Sequence, residues 1–162
     1  SAQEMAADMF RMASGVPMTL IPYKGSSDAQ PDLIAGRTAL YIDTVSAIQS
    51  LVKAGKVRAV AVSTLKRSIS LPDVPTADEQ GLKGFDANTN GGFLAPAGTP
   101  KAIIDKLNVE INAALKQPDV RGKLEAAGVE IQGGTPQDYA RLIHSDLAKW
   151  QKVIKAAGLK AE

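Results

Sequence analysis

The chain has 162 residues, 44% of them hydrophobic, with 19 basic and 17 acidic side chains for a formal charge of +2. That length can bury one or two modest cores, while the mixed charges and 4% aromatic content leave no basic, base-stacking stripe for nucleic acid. No run approaches the roughly 18 apolar residues of a membrane helix, and the absence of cysteine excludes disulfides and thiolate metal sites.

Helical and apolar segments alternate from the start. Met5, Ala6, Met9, Phe10 and Ala13 share one helical face over residues 1–13, and Gly15 follows as a stop. The four methionines read as core by default, three of them on this helix. Residues 18–22 predict a strand, and residues 28–35 a short helix in which Pro31 is tolerable only near the first turn. A second strand follows over 39–42. Thr44 is placed to cap a helix that turns Val45, Ile48, Leu51 and Val52 inward, with Gly55 as its stop.

The β-branched run over 57–63 reads as a strand buried on both faces. This series predicts an α/β architecture with a parallel sheet and right-handed crossovers. Residues 68–92 are irregular and rich in Pro, Gly, Asp and Asn, an exit from one lobe toward another, with Thr76 starting a short helix over 76–80. Phe93 opens a short strand over 93–95, with core packing its expected role and a place on a cleft wall the alternative. Pro100 stands at the first position of a long helix over 101–116. A second helix spans 119–127 and stops at Gly128. A third starts at Thr135-Pro136, carries Tyr139, Leu142, Ile143, Leu147, Trp150, Val153 and Ile154 on one stripe, and stops at Gly158.

Three motifs carry a resemblance: Pro22-Tyr23-Lys24-Gly25-Ser26, the run KRSxSLPDVPTxxExG from Lys66 to Gly81, and Phe93-Leu94-Ala95-Pro96-Ala97-Gly98-Thr99-Pro100. Each is weak alone; together they resemble the Bug (TctC-like) periplasmic solute-binding receptors, which deliver small carboxylates to tripartite tricarboxylate transporters. The resemblance covers nearly the whole chain and implies a partial one. It assigns residues 1–90 to the second lobe of a two-lobe α/β binding protein, a parallel-sheet sandwich lacking its first strand. Residues 91–162 become the C-terminal return segment, supplying helices of the first lobe. It also implies a periplasmic location, membrane transporter subunits as partners of the intact receptor, and binding without a chemical step. The N-terminus shows no signal peptide, which suits a mature exported protein, a cytosolic one and a trimmed chain equally, so the location rests on the resemblance.

The same resemblance places a ligand between the lobes. Ser1, Ala2 and Gln3 begin the first helix, where unpaired amides and the helix dipole attract a carboxylate; the plain alternative is a cap or a frayed end. Tyr23, Lys24, Gly25, Ser26 and Ser27 follow a strand and precede a helix, with Gly25 permitting a tight turn and the serines donating. Lys24 either attracts a dicarboxylate or is simply solvated. Asp43 and Thr44 lie at the carboxyl end of a strand. Asp43 accepts from an ammonium, a hydroxyl or a bridging water, or else closes a capping turn. Because Asp43 repels a bare carboxylate, its contact with an anionic ligand requires an intervening donor or water.

Catalytic and metal readings find little. His144 is the lone histidine, beside Arg141 and Ser145 on an amphipathic helix, and no catalytic triad order, HExxH or cofactor motif is present. Gly133-Gly134-Thr135-Pro136 lacks the Lys-Ser/Thr of a phosphate loop and reads as the start of a helix. Two other classes stay open: an α/β enzyme or subunit acting on a carboxylate, and a truncated remnant that no longer binds. The face over 101–116 supplies a further expectation. Six apolar side chains at roughly 1.5–3 kcal/mol each amount to on the order of 10 kcal/mol, as much as the net stability of a domain. Such a face calls for cover from the missing N-terminal lobe or from a second copy of the chain.

Overall fold

A computed structural model describes residues 2–158. Six helices are described: α1 (Ala2–Ser14), α2 (Ser26–Ile34), α3 (Val45–Lys53), α4 (Lys101–Lys116), α5 (Pro118–Ala126) and α6 (Pro136–Ala157). The chain divides into two compact units. One takes the residues up to Thr89 together with those from Val153 onward, and the other is Asn90–Lys152.

Helix ends follow local chemistry closely. Gly15, Gly55 and Gly128 take positive φ of 66°, 66° and 79°, the left-handed conformation that closes a helix without a side-chain clash. Thr44 stands at the N-cap of α3 with extended backbone, but the carbonyl of Thr44, not its hydroxyl, serves the helix. Helix α2 starts two residues before its predicted position, so Pro31 falls inside it and removes one amide from its ladder.

In the first unit the core gathers Ala6, Ala29, Val62, Leu71, Ala77, Phe85 and Ala87. Phe10 of α1 meets the buried Phe85 edge to face, ring centres 6.0 Å apart. Asp8 is buried on the same helix, its charge answered by Arg11 at 2.6 Å. Two of the methionines expected inside stand partly in solvent: Met12 is exposed and Met18 half-buried.

Residues 57–63 depart from expectation. Only Val62 is buried, and Val60 is 50% exposed. Among the described residues a single parallel bridge joins Val62 to Thr76, with the Val62 amide donating to Pro75 and the Ala77 amide to Val62, both at 2.9 Å. Residues 18–22, 39–42 and 93–95 form no ladder among the described residues. A strand is defined by the neighbour it pairs with, so strong local propensity leaves extended backbone where a partner is lacking. The parallel sense of the one bridge agrees with the expected sheet.

The loop over 64–87 is organised from within. Thr76, 1% exposed, receives the Glu79 amide on its hydroxyl at 3.0 Å while its own amide donates to Glu79 Oε2 at 2.7 Å. This reciprocal arrangement is a capping box, although the chain makes turns there and not the predicted helix. Arg67 grips both Glu79 oxygens at 3.0 and 3.1 Å and reaches the Pro72 carbonyl. The Arg67 guanidinium, then the Thr76 amide, hold the Glu79 carboxyl below its ordinary value of 4.5. A depressed folded value means the stabilisation is complete above pH 4.5 and is lost as the pH falls further. The thermal midpoint is therefore expected to drop on acidification below that point. Glu79→Gln will flatten part of the drop, and Thr76→Ala will cost about 1 kcal/mol at neutral pH; thermal melts at several pH values measure both.

In the second unit α4 packs on α5, and neither buries a residue. Gly133-Gly134-Thr135-Pro136 is a helix start, as expected. Asn112 donates to the Gly134 carbonyl and accepts from its amide, both at 3.0 Å. Thr135 and Asp138 then form a second capping box, with Arg141 beside Asp138. A side chain at Gly133 would lie 2.5 Å from Asn112 Oδ1, and one at Gly92 would lie 2.3 Å from the Tyr139 ring. Both glycines therefore permit close approach. Phe93, expected in the core, is 77% exposed, whereas Trp150 is half-buried with Lys149 near its ring.

Candidate functional site

The predicted residues fall into separate groups within the first unit. Ser1 lies outside the described residues; Ala2 and Gln3 open α1 and are half-buried. The other group surrounds the start of α2 and the approach to α3. Gly25 occupies the N-cap of α2 with φ 175°, which is extended backbone open to any residue, so the tight-turn role expected for it is not observed. Its carbonyl accepts from the Asp28 and Ala29 amides. Lys24 and Ser27 are exposed, and Ser26 is half-buried at the first position of the helix.

Tyr23 is engaged by its own helix neighbour. Its hydroxyl donates to Asp32 Oδ2 at 2.8 Å, while Arg37 holds Asp32 Oδ1 at 2.6 Å. The hydrogen bond to Asp32 raises the Tyr23 phenol, and the same bond, aided by Arg37, lowers the Asp32 carboxyl. This triad ties the chain before α2 to the turn after it. Gln30 meanwhile donates to the Ala47 carbonyl at 3.1 Å, joining α2 to α3.

Asp43 has one satisfied oxygen and one that is not. Oδ1 accepts the Thr44 amide at 2.8 Å, the capping-turn geometry expected as its plain reading. Oδ2 is buried and has no hydrogen-bond partner. An acceptor held this way costs free energy until a donor reaches it.

Sequence reading passed over Tyr41 as part of a strand. The residue is half-buried. Burial, followed by the Asp43 charge and hydrogen bond, pushes its phenol up, while the Ser26 hydroxyl pulls it down. The signal was available: residues 41 and 43 of an extended segment share a face. A shallow depression at the far end of α1, lined by Arg11, Met12, Gly15, Val16, Pro17 and Met18, brings together none of the predicted residues. Among the described residues no cluster of His, Cys, Asp or Glu could hold a metal, and no helix is long and apolar enough to cross a membrane.

Comparison with solved structures gives close likenesses. The R. palustris protein solved with adipate superposes with a TM-score of 0.81 at 39% identity, over 98% of this chain and 53% of that one. The periplasmic binding protein BugD gives 0.79 at 34%, over 100% and 55%. MatC from Rhodopseudomonas palustris, with bound malate, gives 0.77 at 31%, over 95% and 53%. These likenesses define the fold class as that of the two-lobe α/β periplasmic binding proteins, whose members are solute-binding proteins and not enzymes.

The tripartite tricarboxylate transporter family receptor model, TctC, matches residues 1–159, and the chain belongs to that family. A Pseudomonas sp. (strain P51) relative, the UPF0065 protein in the tcbD-tcbE intergenic region, is 40% identical over 97% of this chain and 47% of its own length. A Pseudomonas knackmussii relative, the UPF0065 protein in the clcB-clcD intergenic region, is 37% identical over 93% of this chain and 89% of itself. The chain spans about half the length of most curated relatives it matches.

Proposed function

We propose that this chain contributes to an extracytoplasmic receptor that captures a small carboxylate or amino acid in an interlobe cleft for a tripartite tricarboxylate-type transporter. In this reading residues 1–90 build most of one lobe, and residues 91–162 return to the other. The receptor works in the periplasm and presents its closed form to the membrane subunits. Adipate and malate in two structural relatives support the ligand class. The observation that carries the site is the buried Asp43 Oδ2, which has no hydrogen-bond partner.

Ligand recognition falls to Ser1, to Ala2 and Gln3 at the start of α1, and to Tyr23, Lys24, Gly25, Ser26, Ser27, Asp43 and Thr44. Ser26 and the α2 amides suit a carboxylate. Asp43 suits a hydroxyl, an ammonium or a bridging water.

Calorimetry with adipate, malate and aspartate tests the reading. Binding of at least one is expected, and Ser26→Ala and Asp43→Ala are each expected to weaken it about tenfold, the loss of a hydrogen bond to a charged group. Unchanged affinity in both variants would remove the site assignment. Heat from a longer protein containing this sequence, with none from the 162-residue chain, would select the remnant reading; heat from neither would overturn the proposal.

A further inference from the structure

Asparagines stand at 88, 90, 108 and 112, and of these Asn90 alone precedes a glycine. That order matters because the peptide nitrogen after an asparagine can attack the side-chain carbonyl, and a side chain on the following residue obstructs the approach. Asn108 and Asn112 sit inside α4, where the helix ladder holds the following amides. Asn88 precedes the β-branched Thr89. Asn90 and Gly91 are both exposed in a segment without helix or strand, and the Gly91 amide has no hydrogen-bond partner among the described residues.

The same short segment is held to α6 at two points. Asn90 Nδ2 donates to Asp146 Oδ2 at 2.8 Å, while Lys149 pairs with Asp146 Oδ1 at 3.2 Å. Gly92 lies so close to the Tyr139 ring that a Cβ there would fall 2.3 Å from it. Tyr139 and Asp146 are about two turns apart on α6, so both anchors lie on one face of that helix. The Asn90 bond is exposed. Such a bond opens and recloses far faster than a covalent bond forms, so it does not protect the amide.

We propose that Asn90 is a site of spontaneous deamidation, and that its conversion frees residues 90–92 from α6. The Gly91 nitrogen bonds to Asn90 Cγ as the Cγ–Nδ2 bond breaks; Nδ2 takes the proton that Gly91 gives up and leaves as ammonia. Water then opens the cyclic imide. Cleavage of the new bond gives aspartate, and cleavage of the original peptide bond gives isoaspartate, whose main chain is longer by a methylene. Either product sets a carboxylate against Asp146 where a donor stood, and like charges repel. Isoaspartate also displaces Gly92 from the Tyr139 ring. None of this depends on the receptor reading.

The test ages the protein in mildly alkaline buffer and follows it by peptide mapping with mass spectrometry, by enzymatic methylation of isoaspartate and by thermal melts. Asn90 is expected to convert at least about tenfold faster than Asn108 or Asn112. Gly91→Ala, whose Cβ meets nothing within 4 Å, is expected to slow that conversion about tenfold with the fold intact. Asn90→Asp is expected to lower the melting temperature by about 2–4 °C. In the Asp146→Asn background, where an amide donor again faces a carboxylate, the same change is expected to lower it by under about 1 °C.

An Asn90 that keeps its amide while a peptide of residues 85–95 converts in the same buffer would overturn the site, as would conversion at an equal rate in Gly91→Ala. Conversion with an unchanged melting temperature, or an equal drop in both backgrounds, would overturn the release from α6.

Discussion

Replacing Phe85 by alanine is expected to destabilise the first unit by about 3–5 kcal/mol, lowering its thermal midpoint by more than about 10 °C. Phe85 is 4% exposed, and its ring meets Phe10 of α1 edge to face. Many of the other buried residues of the first unit are alanines, Ala6, Ala29, Ala77 and Ala87, so little side-chain volume is available to collapse into the cavity. Phe93→Ala provides the contrast. At 77% exposure its loss is expected to fall within about 0.5 kcal/mol. Circular-dichroism melts of the two variants decide the matter: comparable losses would mean that Phe93 is also packed, while no loss at Phe85 would remove the core as described.

The second large effect concerns the apolar surface of the second unit. Ile103 and Leu107, one turn apart on α4, are 50% and 47% exposed, and Leu147 on α6 is 57% exposed. Exposed apolar surface on this scale drives association. Light scattering on the isolated chain is expected to show a dimer or larger assembly at micromolar concentration, and the double change Ile103→Asp with Leu107→Asp to shift it toward monomer. A well-behaved monomer with cooperative unfolding would contradict the expectation that these helices need outside cover. A monomer produced only by the aspartates would identify α4 as the contact.

The two effects have one physical origin. Helices α4 and α5 bury no residue, although α4 has the apolar periodicity of a packed helix. The first unit closes around alanines, Val62 and Phe85, whereas the stripes of the second unit remain largely in solvent. Stability should therefore be dominated by the first unit, and association by the second.

Much of the local structure could be read from residue order because it depends on neighbours a few positions apart. Gly15, Gly55 and Gly128 end helices where expected, since only glycine enters the left-handed region at little cost. The Thr135 and Asp138 pair starts α6 through bonds spanning three residues. The motif from Lys66 to Gly81 earns its residues in the same way: Arg67, Thr76 and Glu79 hold a turn together, so its distinctive sequence reports loop architecture before any ligand chemistry. The strands were the weakest inference. The composition of 57–63 was right for one, but pairing is decided by partners remote in sequence, and burial on both faces requires layers that the described residues do not supply.

Tertiary structure alone decided how the candidate site is assembled. The Tyr23 hydroxyl donates to Asp32, nine positions along the chain. Asp43 looked like a turn former, and its Oδ2 is buried without a hydrogen-bond partner. Gly92 and Gly133 looked like loop punctuation, yet each makes room for a side chain on a distant helix. Periodicity and capping are short-range effects carried by the order of residues itself, whereas the donor that answers a given acceptor depends on which segments the folded backbone brings within about 3 Å of each other.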